Sequence, residues 1–127
     1  MKYAYKPNSS NYVRVCGQGL RISRKHSIAI CKKLTGCSLA KGKLLLENLI
    51  NGKRTIDGKH YFTKASNAIL NLLNSAEKNA EFKGLDTDRL IIHAWAGKGY
   101  TFLRPRRAKL RGQQRRITHI QITLEQK

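Results

Sequence analysis

The sequence predicts a single α+β domain carrying a long, protruding, basic β-hairpin. Three observations point there. Apolar residues recur at helical spacing in three stretches, about 23–35, 38–50 and 63–83. Three further stretches, 12–22, 90–96 and 118–124, are β-prone. Between the last two lies LRPRRAKLRGQQRR (103–116), with seven Arg or Lys in fourteen residues and no acid. A chain of 127 residues suffices for one domain with a modest core.

Residues 12–22, YVRVCGQGLRI, read as a strand interrupted at Gly17 and Gly19 by a bulge or turn. Ser23 suits the N-cap of a helix that runs to about Thr35 and stops at Gly36. Ile28, Ile30, Cys31 and Leu34 form its apolar stripe, with Lys25, Lys32 and Lys33 off it. A solvated face and a phosphate-contacting face fit those lysines equally. Ser38 suits the cap of a second helix that ends near Ile50 and buries Leu39, Leu45, Leu46, Leu49 and Ile50. Gly42 counts against it by about 1 kcal/mol relative to Ala. Residues 52–62 read as a polar loop. The third helix, capped by Thr63 and ending near Lys83, is the clearest element. Ala65, Ile69, Leu72, Leu73, Ala76 and Ala80 share one face, whose small alanines suit close approach to a sheet. Asn67, Asn71, Asn74 and Lys78 lie opposite, suiting either a hydrogen-bonding task or a solvated face. Gly84 followed by Leu85 resembles a helix-ending glycine with its apolar partner. Asp86-Thr-Asp88 is a turn.

Leu90–Ala96 reads as a strand, and Thr118–Leu124 alternates. Ile120, Ile122 and Leu124 point one way and His119, Gln121 and Thr123 the other. If these two strands pair antiparallel, the midpoint is residue 107. Each arm then has about 15 residues, roughly 50 Å long at about 3.3 Å per residue. That exceeds what a core of this size covers. The distal part, 98–116, has few apolar residues, and an isolated two-stranded ribbon is marginal in water. The arm is therefore expected to protrude and to be ordered by a partner. Pro105 fits an exposed position near its tip, with no ladder bond to donate.

The formal net charge is +19, and its layout is more informative than its size. Residues 1–46 hold ten Lys or Arg and no acid, and residues 89–124 hold nine and no acid. Residues 47–88 hold six of each sign. Two acid-free ends around a neutral middle would repel each other in isolation and suit a polyanion. Lipid headgroups are disfavoured, because no basic amphipathic helix has an aromatic apolar face. Nucleic acid fits better, and Arg is the informative cation: its planar fork grips phosphate and stacks on bases. Trp95 and Tyr100 are candidate stacking rings, with core packing the competing role for Trp95.

No apolar run approaches the roughly 20 residues of a membrane span. The N-terminus, MKYAYKPNSSNY, lacks the apolar stretch of a signal peptide. A soluble intracellular protein is expected. Cys16, Cys31 and Cys37 contain no CxxC, and their odd number argues against a disulfide framework. A zinc site from Cys31, Cys37 and His26 matches no standard spacing. The histidines at 26, 60, 93 and 119 are scattered, and no GxSxG or phosphate-binding loop occurs, Gly97-Lys-Gly99 alone being insufficient. The seven acids show no two-metal cluster. No catalysis, cofactor or metal is expected.

SAEKNAEFKGLDTDRLII (75–92), the basic arm and THIQITLE (118–125) together resemble the universal large-subunit ribosomal protein twenty-two family, called protein seventeen in eukaryotic large subunits. The block Asn79-Ala80 with Gly84-Leu85-Asp86 is specific when a strand and a basic arm follow. ISRKHSIAICKKLTG (22–36) resembles the family's first helix. Its SxKHSxAI pattern (Ser23, Lys25, His26, Ser27, Ala29, Ile30) is of archaeal type. The resemblance spans about residues 12–125. It implies three helices packed on a small three-stranded antiparallel sheet, on the outer face of the large subunit of the cytoplasmic ribosome. It also implies a β-hairpin that threads into ribosomal RNA and helps line the nascent-peptide exit tunnel, with a role in subunit assembly and no chemistry. The implied partners are large-subunit rRNA, neighbouring ribosomal proteins and the nascent polypeptide.

On this reading the globular part is about 12–97 plus 117–125, and the extension is about 98–116. The candidate rRNA contacts are Arg21, Arg24, Lys25, His26 and Lys32, then Lys98, Arg104, Arg106, Arg107, Lys109, Arg111, Arg115, Arg116 and His119. The resemblance places the tip, Arg106, Arg107, Ala108, Lys109, Leu110 and Arg111, nearest the tunnel. Four departures stand out. Ser75-Ala76 replaces a frequent Asn-Ala, Leu110 takes the usual place of the tip glycine with Gly112 displaced, the arm is a few residues shorter than in bacterial versions, and the middle loop lacks a long insertion. The last fits a compact archaeal version. The alternative is a free-standing basic nucleic-acid-binding or RNA-chaperone protein.

Overall fold

The computed structural model describes residues 2–126. In chain order it contains strand β1 (Tyr12–Leu20), helices α1 (Arg24–Leu34), α2 (Leu39–Ile50) and α3 (Thr63–Phe82), and strands β2 (Leu90–Lys98) and β3 (Thr118–Gln126). The strands form one antiparallel sheet in the order β1-β3-β2. This is the α+β arrangement of three helices and three strands that the sequence predicts. The ladder of β1 slips between Gly17 and Leu20, where the two expected interruptions fall.

The last strand in sequence is thus the central one. On one face its Ile120, Ile122 and Leu124 belong to a single core with Ile30 and Leu34 of α1, Leu46 and Leu49 of α2, and Ile69 and Leu73 of α3, all fully or almost fully buried. Each such side chain contributes about 1.5–3 kcal/mol on leaving water. The alanine stripe of α3 (Ala65, Ala76 and Ala80) is also buried, which lets that helix approach β1 and β3 closely.

On the other face His119, Gln121, Thr123 and Glu125 are buried as well. Residues 2–11, for which the sequence predicts no element, lie over Gln121 and Glu125 of that face. Gln121 accepts from the Ala4 amide and donates to the Lys2 carbonyl. Glu125 accepts from the Tyr5 hydroxyl at 2.6 Å and from the amides of Ser9 and Asn8 at 2.9 and 3.0 Å. The Tyr5 ring stacks on His93 at 3.8 Å between centroids. The globular part therefore includes this N-terminal segment.

Helix ends follow the expectations with two corrections. Ser23 and Ser38 occupy N-cap positions, but neither side chain bonds a first-turn amide; Ser23 instead accepts, through its carbonyl, from the Ser27 hydroxyl. The cap of α3 is Phe62, and Thr63 is its first helical residue. A tertiary contact sets that entry point: the Phe62 ring stacks on His26 at 4.1 Å. At the other end Gly84 and Leu85 donate to the Glu81 and Ala80 carbonyls, closing α3 with the expected glycine motif.

The arm is not a continuous ribbon. Regular pairing stops at Lys98 opposite Thr118. Beyond it the two chains are held by sparse backbone bonds, Gly99 to Ile117, Arg115 to Phe102 and Arg104 to Gln113, and by one isolated bridge, Leu103 to Gln114. A single 3-10 turn, Ala108–Leu110, makes the tip, and Gly112 follows it with φ +74°. The displaced glycine supplies the left-handed residue that the tip requires, so Leu110 need not. The low apolar content of 99–117 explains the broken ladder: a ribbon without a packed face has little to hold regular pairing.

Candidate nucleic-acid interface

Residues 100–109 are all exposed, as are Arg111 and Arg116. Among the described residues none of the eight Lys and Arg of 98–116 is ion-paired; the ion pairs are Lys43 with Glu77 and Arg89 with Asp86, and the His93 imidazole lies 3.7 Å from Glu125. The arm thus presents its full charge. Arg115 is half-buried, its guanidinium lying 5.6 Å from the centre of the Phe102 ring.

The fold brings the two acid-free ends of the sequence together. A cleft of about 1480 Å³ opens between the arm and the start of α1, lined by Arg21 and His26 on one side and by Arg104, Arg107, Arg115 and Arg116 on the other. A neighbouring hollow of about 580 Å³ joins Arg24, Lys25 and Lys98 to the same Arg115 and Arg116, with Tyr100 also in its lining. No acidic side chain lines either space. Such a concavity focuses positive potential and has nothing to neutralise it from within. The N-terminus of α1, with no acid in its first turn, adds the positive end of its dipole.

The other sequence-predicted residues lie elsewhere. Lys32 lines a separate hollow with Lys25, Lys33 and Asp57. Arg106 and Arg111 line a groove along the arm itself, beside Phe102 and Leu103. Lys109 and Ala108 sit in the tip turn, and Leu110 faces the large cleft. His119 differs from the rest: it is 8% exposed, its Nδ1 accepts from the Gly19 amide at 3.0 Å, and the Tyr100 ring meets it edge-on. Its place is in the sheet, where it pins the slipped end of β1. Trp95 is 43% exposed and lies over Gly97, so it is in part a packing residue.

Sequence reasoning overlooked His60, Tyr61, Phe62 and Lys64, which line the large cleft at the start of α3. The signal was available in KHYF (59–62), a cation and three rings inside a loop otherwise rich in polar residues. The three side chains weighed as a zinc site are engaged separately. His26 stacks on Phe62, the Cys37 thiol donates to the Lys33 carbonyl, and burial pushes the Cys31 thiol up to about 12, away from the thiolate that a metal needs.

Comparison with known proteins decides the lineage. Residues 15–125 match the family described as Ribosomal protein L22p/L17e. The chain belongs to that family. It is 35% identical to the Large ribosomal subunit protein uL22 of Methanococcus aeolicus, over 99% of this chain and 97% of that one. The protein of the same name from Methanocaldococcus jannaschii is 35% identical over 99% and 95%. That of Archaeoglobus fulgidus is 34% identical over 78% and 77%. These relatives are archaeal, as the SxKHSxAI pattern anticipates. The first two alignments run to 150 positions, more than the 127 residues here, so this L22p/L17e chain is a compact version. As an L22p/L17e member it is a structural ribosomal protein and not an enzyme.

Proposed function

We propose that the chain binds large-subunit rRNA through the arm and the start of α1, and that the arm enters the RNA to help line the nascent-peptide exit tunnel. The observation that carries the RNA part is the meeting of both acid-free ends in adjoining clefts with no carboxylate between them. An exposed arm held by few backbone bonds gains order from a surrounding polyanion, and its arginines grip phosphates from both sides. The contacts are Arg21, Arg24, Lys25, His26, Lys32, Lys98, Arg104, Arg106, Arg107, Lys109, Arg111, Arg115 and Arg116. The tunnel part rests on the family and on the position of the tip, Arg106–Arg111. Neighbouring large-subunit proteins and the nascent chain complete the partners, and support of subunit assembly completes the role.

The test is sedimentation of the tagged chain from lysate on a sucrose gradient. It is expected with large subunits and whole ribosomes. Residence in the light fractions alone would overturn this function and favour the free-standing RNA-binding alternative. In the same preparation, a photo-crosslinker placed at Leu110 is expected to capture stalled nascent chains. Crosslinks to RNA alone would remove the tunnel role and leave the rRNA binding.

A further inference from the structure

At the start of α3 three rings stack in a short column. His26 and Phe62 lie 4.1 Å apart between centroids with 23° between their planes. Phe62 and His60 lie 5.7 Å apart at 25°. His26 and Phe62 are half-buried and His60 is exposed, so the column runs outward from α1 and ends at an open imidazole. Phe62 is the one non-glycine residue among the described residues with positive φ, +51°. That region disfavours bulky side chains, so the stack and the helix entry together hold the ring in an otherwise unfavourable place. His26, His60 and Phe62 line the same cleft as Arg104, Arg107 and Arg115.

Each half of this wall selects a different part of one ligand. Planar rings take a base by its face, and guanidinium groups take phosphate oxygens. A duplex would offer the cleft phosphates, but its base faces are already stacked. We propose that the cleft holds one unstacked nucleotide of an RNA strand, its base extending the His26–Phe62–His60 column and its flanking phosphates on Arg104 and Arg107. The inference rests on the RNA-binding reading above and adds a base-stacking site to it. Because stacking tolerates every base, the site reads strand shape and not sequence.

The test uses the full chain and a short single-stranded RNA carrying a fluorescent adenine analogue that is quenched on stacking, beside an abasic strand of equal length. The wild type is expected to quench the analogue and to bind the base-bearing strand about tenfold more tightly than the abasic one. His60→Ala, at an exposed position, should abolish most of that difference and the quench, weakening binding of the base-bearing strand far more than that of the abasic one. His60→Tyr should restore both. Equal wild-type affinity for the two strands, or an unchanged quench in His60→Ala, would overturn the nucleotide site and leave general RNA binding in place. Failure to bind either strand, or large-subunit rRNA itself, would overturn both.

Discussion

A glycine in the first turn of α2 shows how one residue records a tertiary contact. A Cβ at Gly42 would stand 2.4 Å from Ile92 Cδ1 and 3.4 Å from Leu34 Cδ2. Both neighbours are fully buried. Alanine would gain about 1 kcal/mol of helix propensity, whereas overpacking a filled core costs about 1–3 kcal/mol. Packing wins because the Ile92 side chain, on β2, is fully buried where it meets α2. Gly42→Ala should therefore lower stability by about 1 kcal/mol, read as a drop in the urea midpoint. In an Ile92→Val background, which lacks the clashing Cδ1, the penalty should shrink or reverse. An equal penalty in both backgrounds would show that Ile92 is not the cause.

At the scale of elements, the N-terminal segment and β3 are joined through one carboxylate. Glu125 is 5% exposed. The hydrogen bond from Tyr5, with those from the Ser9 and Asn8 amides, holds its pKa at about 2 against an ordinary 4.5, although burial pulls the other way. The same bond raises the Tyr5 hydroxyl. A folded-state pKa below the unfolded one contributes stability that is present above about 4.5 and is lost as pH falls through about 2. Acidification across that window should loosen residues 2–11 first, seen as faster amide exchange at Asn8 and Ser9. Glu125→Gln should be less stable near neutral pH and should flatten the dependence across the window. A variant whose pH curve runs parallel to the wild type would place the titration on another group.

For the whole molecule, the charge layout and the topology express the same constraint. Pairing β2 and β3 with the arm between them returns the arm to the start of α1, so two acid-free segments far apart in sequence share one surface. That surface carries its own repulsion until an anion arrives. Affinity for large-subunit rRNA should therefore fall steeply with salt, by about 0.7–0.9 log units per phosphate neutralised for each log unit of salt. Replacing Arg104 and Arg107 by Gln should flatten that slope by up to about 1.5. A slope unchanged by the double substitution would mean that the arm does not meet phosphate.

The sequence alone determined the elements, the midpoint of the last two strands to within a residue, the acid-free ends and the family. These are local or additive signals: apolar period, β-propensity, turn residues, net charge. Helix ends were legible where a glycine motif closes them, as at Gly84. They were not legible where a ring contact sets the entry, as at Phe62, because stacking on His26 is invisible in local spacing. The same limit hid the role of residues 2–11, whose partner Glu125 lies more than a hundred positions away. It hid His60 and Phe62 as cleft residues, and it hid the burial of His119, which stands among the candidate rRNA contacts. Tertiary structure decided which polar face is covered, where the ladder ends and which cations share a cleft. Each depends on contacts between distant segments, and only the packed chain specifies those.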